Sequence, residues 1–192
     1  MVISIRQAQK NDALHVAALI DIAGHGIESD FWRDNVDADQ SAIGAARRLI
    51  ISDESLPYHV SKAHLLEVDG EVAAGLIGGR VPEIKEVHSG FPSYFGPLLD
   101  LESFVPGFWA VIGVAVYQEF RGKGLSRLLL DHAEGLAKQD KTTGLSIVVE
   151  DSNSTAITLY RRYGFLDCET RPWLPFNGRT GPKHWVLLTK LF

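Results

Sequence analysis

Residues 109–126 read Trp109-Ala110-Val111-Ile112-Gly113-Val114-Ala115-Val116-Tyr117-Gln118-Glu119-Phe120-Arg121-Gly122-Lys123-Gly124-Leu125-Ser126. The first eight form a near-continuous apolar run, the pattern of a strand buried on both faces. A short turn with two glycines follows and opens into a helix predicted over about residues 125–138. Leu125, Leu128, Leu129, Ala133 and Leu136 make its apolar stripe, while Arg127 with Asp131 and Glu134 with Lys138 are spaced to pair on the other side. Glycines at the mouth of a helix let the backbone approach a ligand closely. The first-turn N–H groups lack partners inside the helix, and the helix dipole favours an anion there. Arg121 and Lys123 add two cations at the same spot. The pattern predicts a phosphate cradle; the plainer reading is a tight strand-to-helix turn and nothing more.

Two common phosphate loops are excluded. The P-loop needs a glycine where Tyr117 stands and a hydroxyl residue where Gly124 stands; the dinucleotide fingerprint, begun at Gly122, needs a glycine where Arg127 stands. What fits is Arg/Gln-x-x-Gly-x-Gly/Ala, with Arg121, Gly124 and Ser126 in its places. This resembles motif A of the GNAT superfamily of N-acetyltransferases, although Ser126 departs from the usual glycine or alanine. Downstream, Asn153-Ser154-Thr155-Ala156-Ile157-Thr158-Leu159-Tyr160-Arg161-Arg162-Tyr163-Gly164-Phe165 resembles the family's motif B, Asn-x-x-Ala-x-x-Leu-Tyr-x-x-x-Gly-Phe, at every fixed position. Read without the family, it is a helix capped by Asn153, with Ala156, Leu159 and Tyr163 on one stripe and Gly164 just past its end.

The resemblance implies an α/β (α+β) fold, with a mixed central sheet of about seven strands and helices on both faces. It implies acetyl-CoA as acyl-donor cosubstrate and a primary amine as acceptor, a small molecule before a peptide or protein amine. By carry-over, Arg121, Gly122, Lys123, Gly124, Leu125 and Ser126 hold the pyrophosphate of coenzyme A. Val114 and Val116 offer main-chain groups to the pantetheine arm, Asn153 belongs to the cofactor site, and Tyr160 is the acid for the departing sulfur. Gly113 marks either a bulge in the strand or the close packing of a helix over it.

Attack on a thioester needs a neutral amine. Removing a proton at pH 7 from an alkyl amine of pKa about 10.4 costs about 4.6 kcal/mol. Some members of the family carry a glutamate early in the strand before the turn; here Trp109, Ala110 and Val111 stand nearby. Asp100, Glu102, Glu150, His88 and a water-borne proton exit stay open. The acceptor walls are expected from residues 24–33, 91–104 and 173–182. Those segments hold Phe31, Trp32, Phe91, Tyr94, Phe95, Trp173 and Phe176 with the acids Glu28 and Asp30, a lining suited to a small cationic amine. The other reading of these aromatics is core or a homodimer face. A functional alternative of another class is a CoA-binding module without turnover, acting as a sensor or partner subunit.

Outward from the motifs, 192 residues favour one domain over 1–192, with a long insertion at about 82–107. Strands are predicted at residues 2–6, 109–116, 145–149, 166–170 and 184–191. A hairpin is predicted over 63–68 and 71–80 around Asp69-Gly70. Helices are predicted from a cap at Asn11 or Asp12 to about Ala23, with Leu14, Ala17, Ala18 and Ile22 inward, and over 39–51, with Ile43, Ala46, Ile50 and Ile51 inward. The segment between them reads as a loop, and a helix is predicted over 154–163. Nineteen basic against 24 acidic residues give −5. That argues against a nucleic-acid partner for Arg121, Lys123, Arg127, Arg161 and Arg162. No apolar run reaches the roughly 18 residues of a membrane span. The N-terminus lacks the pattern of a signal peptide, and a single cysteine, Cys168, suits a reducing cytoplasmic setting. The seven histidines show no metal-ligand spacing, so no metal is expected.

Overall fold

The computed structural model describes residues 1–36, 41–82, 91–176, 178 and 180–192. The chain divides into two compact units, Met1–Gly79 with Val111–Ala133, and Arg80–Ala110 with Glu134–Phe192. Among the described residues there are six α-helices and the seven strands of a mixed sheet, the α/β class that the resemblance implied. No helix among these residues is long and apolar enough to cross a membrane.

The first unit carries β1 (Ile3–Gln7), α1 (Ala13–Ala23), α2 (Ile27–Asp34), α3 (Ala42–Ser52), β2 (Ala63–Val68), β3 (Glu71–Arg80) and most of β4 (Trp109–Val116), in sheet order β1-β2-β3-β4. β2 pairs antiparallel with both β1 and β3. The hairpin turns at Asp69 (φ 52°) and Gly70 (φ 87°). Two successive left-handed residues give the turn whose twist matches the flanking strands.

Four expectations for this unit need correction. Residues 27–34 are helical, not loop. They contain no glycine or proline, Glu28 and Asp30 sit in the positive first turn, and Arg33 sits in the negative last turn. Asp12 does not cap α1; its carboxylate accepts from the Gln9 N–H (2.8 Å) and from both terminal nitrogens of Arg6 (2.7 and 3.0 Å). The inward stripe of α1 is Ala13, Val16, Ala17, Leu19 and Ile20, with Leu14 in solvent. The helix is apolar almost all round, so neighbouring stripes look alike in sequence and the packing partner selects one. In α3, Ser41 caps through its hydroxyl and the inward set is Ala45, Ala46 and Ile50, leaving Ile43 exposed. The predicted start of that helix at 39 lies outside the described residues.

The second unit carries α4 (Gly96–Glu102), β5 (Gly144–Glu150), α6 (Ser154–Tyr163), β6 (Leu166–Pro172) and β7 (His184–Leu191), with strand order β5-β7-β6, both pairs antiparallel. α5 (Leu125–Gln139) begins in one unit and ends in the other. Its buried residues include Leu125, Leu129, Leu130, Ala133 and Ala137, while Leu128, expected inward, is exposed. The insertion is partly helical: a 3-10 turn over Ser93–Phe95 runs into α4, with Pro97 in the first turn, where its missing N–H does no harm. Its aromatics pack on one another. Tyr94 stacks on Phe176 with centroids 4.6 Å apart, Phe176 meets Trp173 at 5.3 Å, and Phe95 meets Phe91 at 5.3 Å. Gly181 leaves room for the Trp173 ring, which a Cβ there would meet at 2.7 Å. Tyr94, Phe95 and Phe176 are buried, as Phe31 and Trp32 are in the first unit; here the core reading of the aromatics describes the packing.

Candidate active site

The turn after β4 begins with a 3-10 turn over Gln118–Phe120 and then exposes Arg121 to Gly124. Gly122 and Gly124 have φ of 77° and 75°, a conformation that L side chains adopt only at a cost of roughly 1–2 kcal/mol. A Cβ built on either glycine meets nothing within 4 Å. The missing side chains therefore leave open space beside the backbone, and their absence is not needed for internal packing. Among the described residues, none of the backbone N–H groups from Gly122 to Ser126 donates to a backbone carbonyl. Five consecutive N–H groups lack a backbone acceptor, at the start of a 15-residue helix.

Side chains stiffen this turn from behind. The Arg121 Nε donates to the Val116 carbonyl at 3.1 Å, tying the turn back to the end of β4. Lys123 Nζ lies 4.9 Å from the centroid of the Phe120 ring, a cation–π contact. Leu125 anchors the helix start in the core, and Ser126 is half-buried behind it. Tyr117, at the junction, hydrogen-bonds through its hydroxyl with His15 Nδ1 (3.0 Å), and its N–H donates to the Ala73 carbonyl (2.9 Å). Burial raises the Tyr117 phenol above its ordinary range, with the Glu119 charge adding to the effect.

Gly113 packs closely under a helix. A Cβ there would lie 2.8 Å from Ile20 Cδ1 and 3.1 Å from Ala23 Cβ. The last turn of α1 therefore rests on the middle of β4, next to the half-buried Val114.

In the second unit, Asn153 caps α6, its side-chain oxygen accepting from the Ala156 N–H at 3.1 Å, and Gly164 ends the helix at φ 102°. Tyr160 and Tyr163 are the buried residues of α6, while Ala156 and Leu159 are half-buried. The Tyr160 ring lies 5.9 Å from that of Phe165, and burial pushes its phenol up to about 12. Its hydroxyl makes no hydrogen bond with a described residue. It is a protonated donor at any physiological pH.

Residues 24–165 match the family model of the acetyltransferase (GNAT) family. The chain belongs to that family. Among solved structures, this GNAT acetyltransferase is similar to one described as an acetyltransferase (TM-score 0.66, 22% identity, 98% of each chain covered). It is also similar to the ribosomal-protein-S18-alanine N-acetyltransferase from Escherichia coli (0.59, 18%, covering 99% of this chain and 94% of that one). A third similar structure is an N-acetyltransferase from Staphylococcus aureus (0.61, 15%, 97% and 99%). At these identities the likeness is one of fold. No curated protein matches the chain.

The acetyltransferase's carboxylates sort clearly. Asp100 is ion-paired with Arg171. Glu102 ends α4 and Glu150 ends β5; His88 lies outside the described residues. Asp30 is buried and pairs with Arg33. Asp30 Oδ2 and Glu28 Oε2 are both buried without a hydrogen-bond partner, but Glu28, unlike Asp30, forms no ion pair with a described residue. It is 7% exposed, its Oε2 is buried with no hydrogen-bond partner, and that oxygen lies 2.2 Å from where a Gly24 Cβ would stand. Burial pushes its carboxyl up to about 8, with the Asp21 charge adding to the rise. From the sequence, Glu28 is an acid of the expected acceptor wall set on a loop, with nothing to mark its burial. Taken as helix, its spacing to Phe31 and Trp32 (i+3, i+4) would have put it on the buried face. Among the described residues, no group of three or more His, Cys, Asp or Glu could hold a metal ion.

Proposed function

We propose that this acetyltransferase moves an acetyl group from acetyl-CoA to the primary amine of a small molecule, with residues 1–192 acting as one domain. The observation that carries the donor half is the run of five N–H groups from Gly122 to Ser126 with open space at both left-handed glycines. Such a run at a helix N-terminus suits a diphosphate. Gly122, Lys123, Gly124, Leu125 and Ser126 would hold it through backbone N–H groups, Lys123 would add charge, and Arg121 would brace the turn. Bound there, acetyl-CoA supplies an activated thioester. Along β4, the main-chain groups of Val114 and Val116 would orient the pantetheine arm, and Asn153 would keep the start of α6 in shape.

The reaction needs two proton movements, one off the amine and one toward sulfur. Tyr160, with a phenol near 12, is too weak an acid to hand its proton fully to a thiolate whose conjugate acid is near about 8.5. It serves better as a hydrogen-bond donor to the sulfur as charge develops. Such a bond to a charged group is worth about 1.5–3 kcal/mol, or roughly 10- to 150-fold in rate.

The other reading is a CoA-binding module without turnover, and one observation favours it: β4 carries no carboxylate along Trp109–Val116. Thiol release from acetyl-CoA with a panel of primary amines, run beside calorimetric CoA binding, decides between them. Amine-dependent release supports the enzyme; tight CoA binding with no release on any amine supports the module.

A further inference from the structure

We infer that Glu28 is the carboxylate that takes the proton the attacking amine must lose. The inference rests on the amine acetyltransferase reading above and supplies the base that β4 lacks. Its geometry begins at Gly113, against which Ala23 and Ile20 of α1 are seated. Gly24 is the next residue after Ala23, and the Glu28 carboxyl occupies the space where a Gly24 side chain would be. A chain of direct contacts thus runs from the middle of β4, beside Val114, through the last turn of α1 to Glu28.

The carboxyl is built to meet a cation that the protein does not itself provide. Its Oε2 is buried and unpartnered. Of the charged groups on the elements packed against α2, Asp21 of α1 acts on it, and Asp21 is an anion whose oxygen accepts from the Ser29 N–H. On α3, Arg48 donates to the Asn35 carbonyl at the far end of α2 and Arg47 is exposed; β4 has no charged residue. On α2 itself, Arg33 is paired with Asp30. An ammonium arriving at Oε2 would supply both the missing hydrogen bond and the missing charge.

The proton balance closes. The ammonium gives one proton to Glu28, and the freed lone pair forms the N–C bond to the acyl carbon. The C–S bond breaks with its pair on sulfur. Of the two protons nitrogen sheds, one ends on sulfur as the thiol and the other leaves Glu28 for solvent. Burial helps the first step. A carboxylate whose proton affinity is raised by burial accepts a proton more favourably than an ordinary one.

The test uses the full chain with acetyl-CoA and three probe amines, ethanolamine, tyramine and alanylglycine, following kcat/KM from pH 6 to 10 in wild type, Glu28→Gln and Gly24→Ala. The wild-type to Glu28→Gln ratio cancels the titration of the amine itself. It is expected to rise about tenfold per pH unit and level off above about 8, at roughly 10²- to 10⁴-fold. Gly24→Ala leaves Glu28 in the chain but drives its carboxyl out of its seat. Its kcat/KM is expected to fall as far, and its CoA affinity and that of Glu28→Gln to stay at the wild-type value. A ratio flat with pH, or Gly24→Ala at full activity, overturns the inference while the enzyme reading stands. Wild type that binds CoA and acetylates none of the probes brings down both.

Discussion

At the scale of single residues, the cradle and the phenol make separable demands. Gly124→Val places a branched side chain in open space and imposes left-handed strain at φ 75°. Its effect on folding is bounded by that strain, about 1–2 kcal/mol, whereas its effect on ligand approach is steric. CoA affinity measured by calorimetry is expected to weaken at least tenfold, with Tm lowered by only a few degrees; unaltered affinity would mean that the backbone of this turn does not touch the carrier. Tyr160→Phe is expected to lower kcat by about 10- to 150-fold at unchanged CoA affinity, the range of one hydrogen bond to developing charge. Because the phenol stays protonated until about 12, its loss should change the height of the pH–rate curve and leave its shape alone up to pH 10. A variant whose curve also loses an alkaline limb would show Tyr160 titrating in the working range.

Elements differ in how plainly their sequences announce them. β4, the hairpin and α6 follow their predicted bounds closely because each carries its own punctuation: apolar runs, Asp69-Gly70, and Asn153 with Gly164. Asn153→Ala tests that punctuation directly. Losing the bond to the Ala156 N–H should lower stability by about 1 kcal/mol in urea unfolding, at constant m-value; a change below about 0.3 kcal/mol would mean another group caps α6. α1 and α3 were legible as helices but not in their rotation, since Leu14 and Ile43 are as apolar as the residues that are buried. α2 was missed because its eight residues follow two glycines and mix acids with aromatics, and with it went the burial of Glu28. The phosphate turn was legible because glycine spacing is a local property of the chain. The proton acceptor was not, because a raised carboxyl depends on what surrounds it.

Over the whole molecule, two carboxyls pull the pH dependence of stability in opposite directions. Glu134 sits among Lys138 (2.6 Å), Lys190 (2.5 Å) and the Tyr163 hydroxyl (3.2 Å), and hydrogen bonds from the two ammonium groups hold its carboxyl down at about 2. A lowered folded-state value means that its contribution is full above the ordinary 4.5 and fades as pH falls toward 2. Partial exposure screens this contribution. Glu28 works the other way. Its folded-state value near 8 exceeds the ordinary 4.5, so between those values the folded chain holds a proton that the unfolded chain has released, and stability falls as pH rises. Above about 8 the loss is complete and constant. Glu28→Gln keeps the shape of a protonated carboxyl and cannot ionise, so the Tm of wild type should fall relative to that of the variant from about pH 5 to 8 and hold a constant offset above it. Scanning calorimetry of both proteins at half-unit pH steps measures the divergence. Parallel curves would mean that Glu28 in the folded chain ionises in the ordinary carboxylate range, and would remove the physical basis for its raised proton affinity.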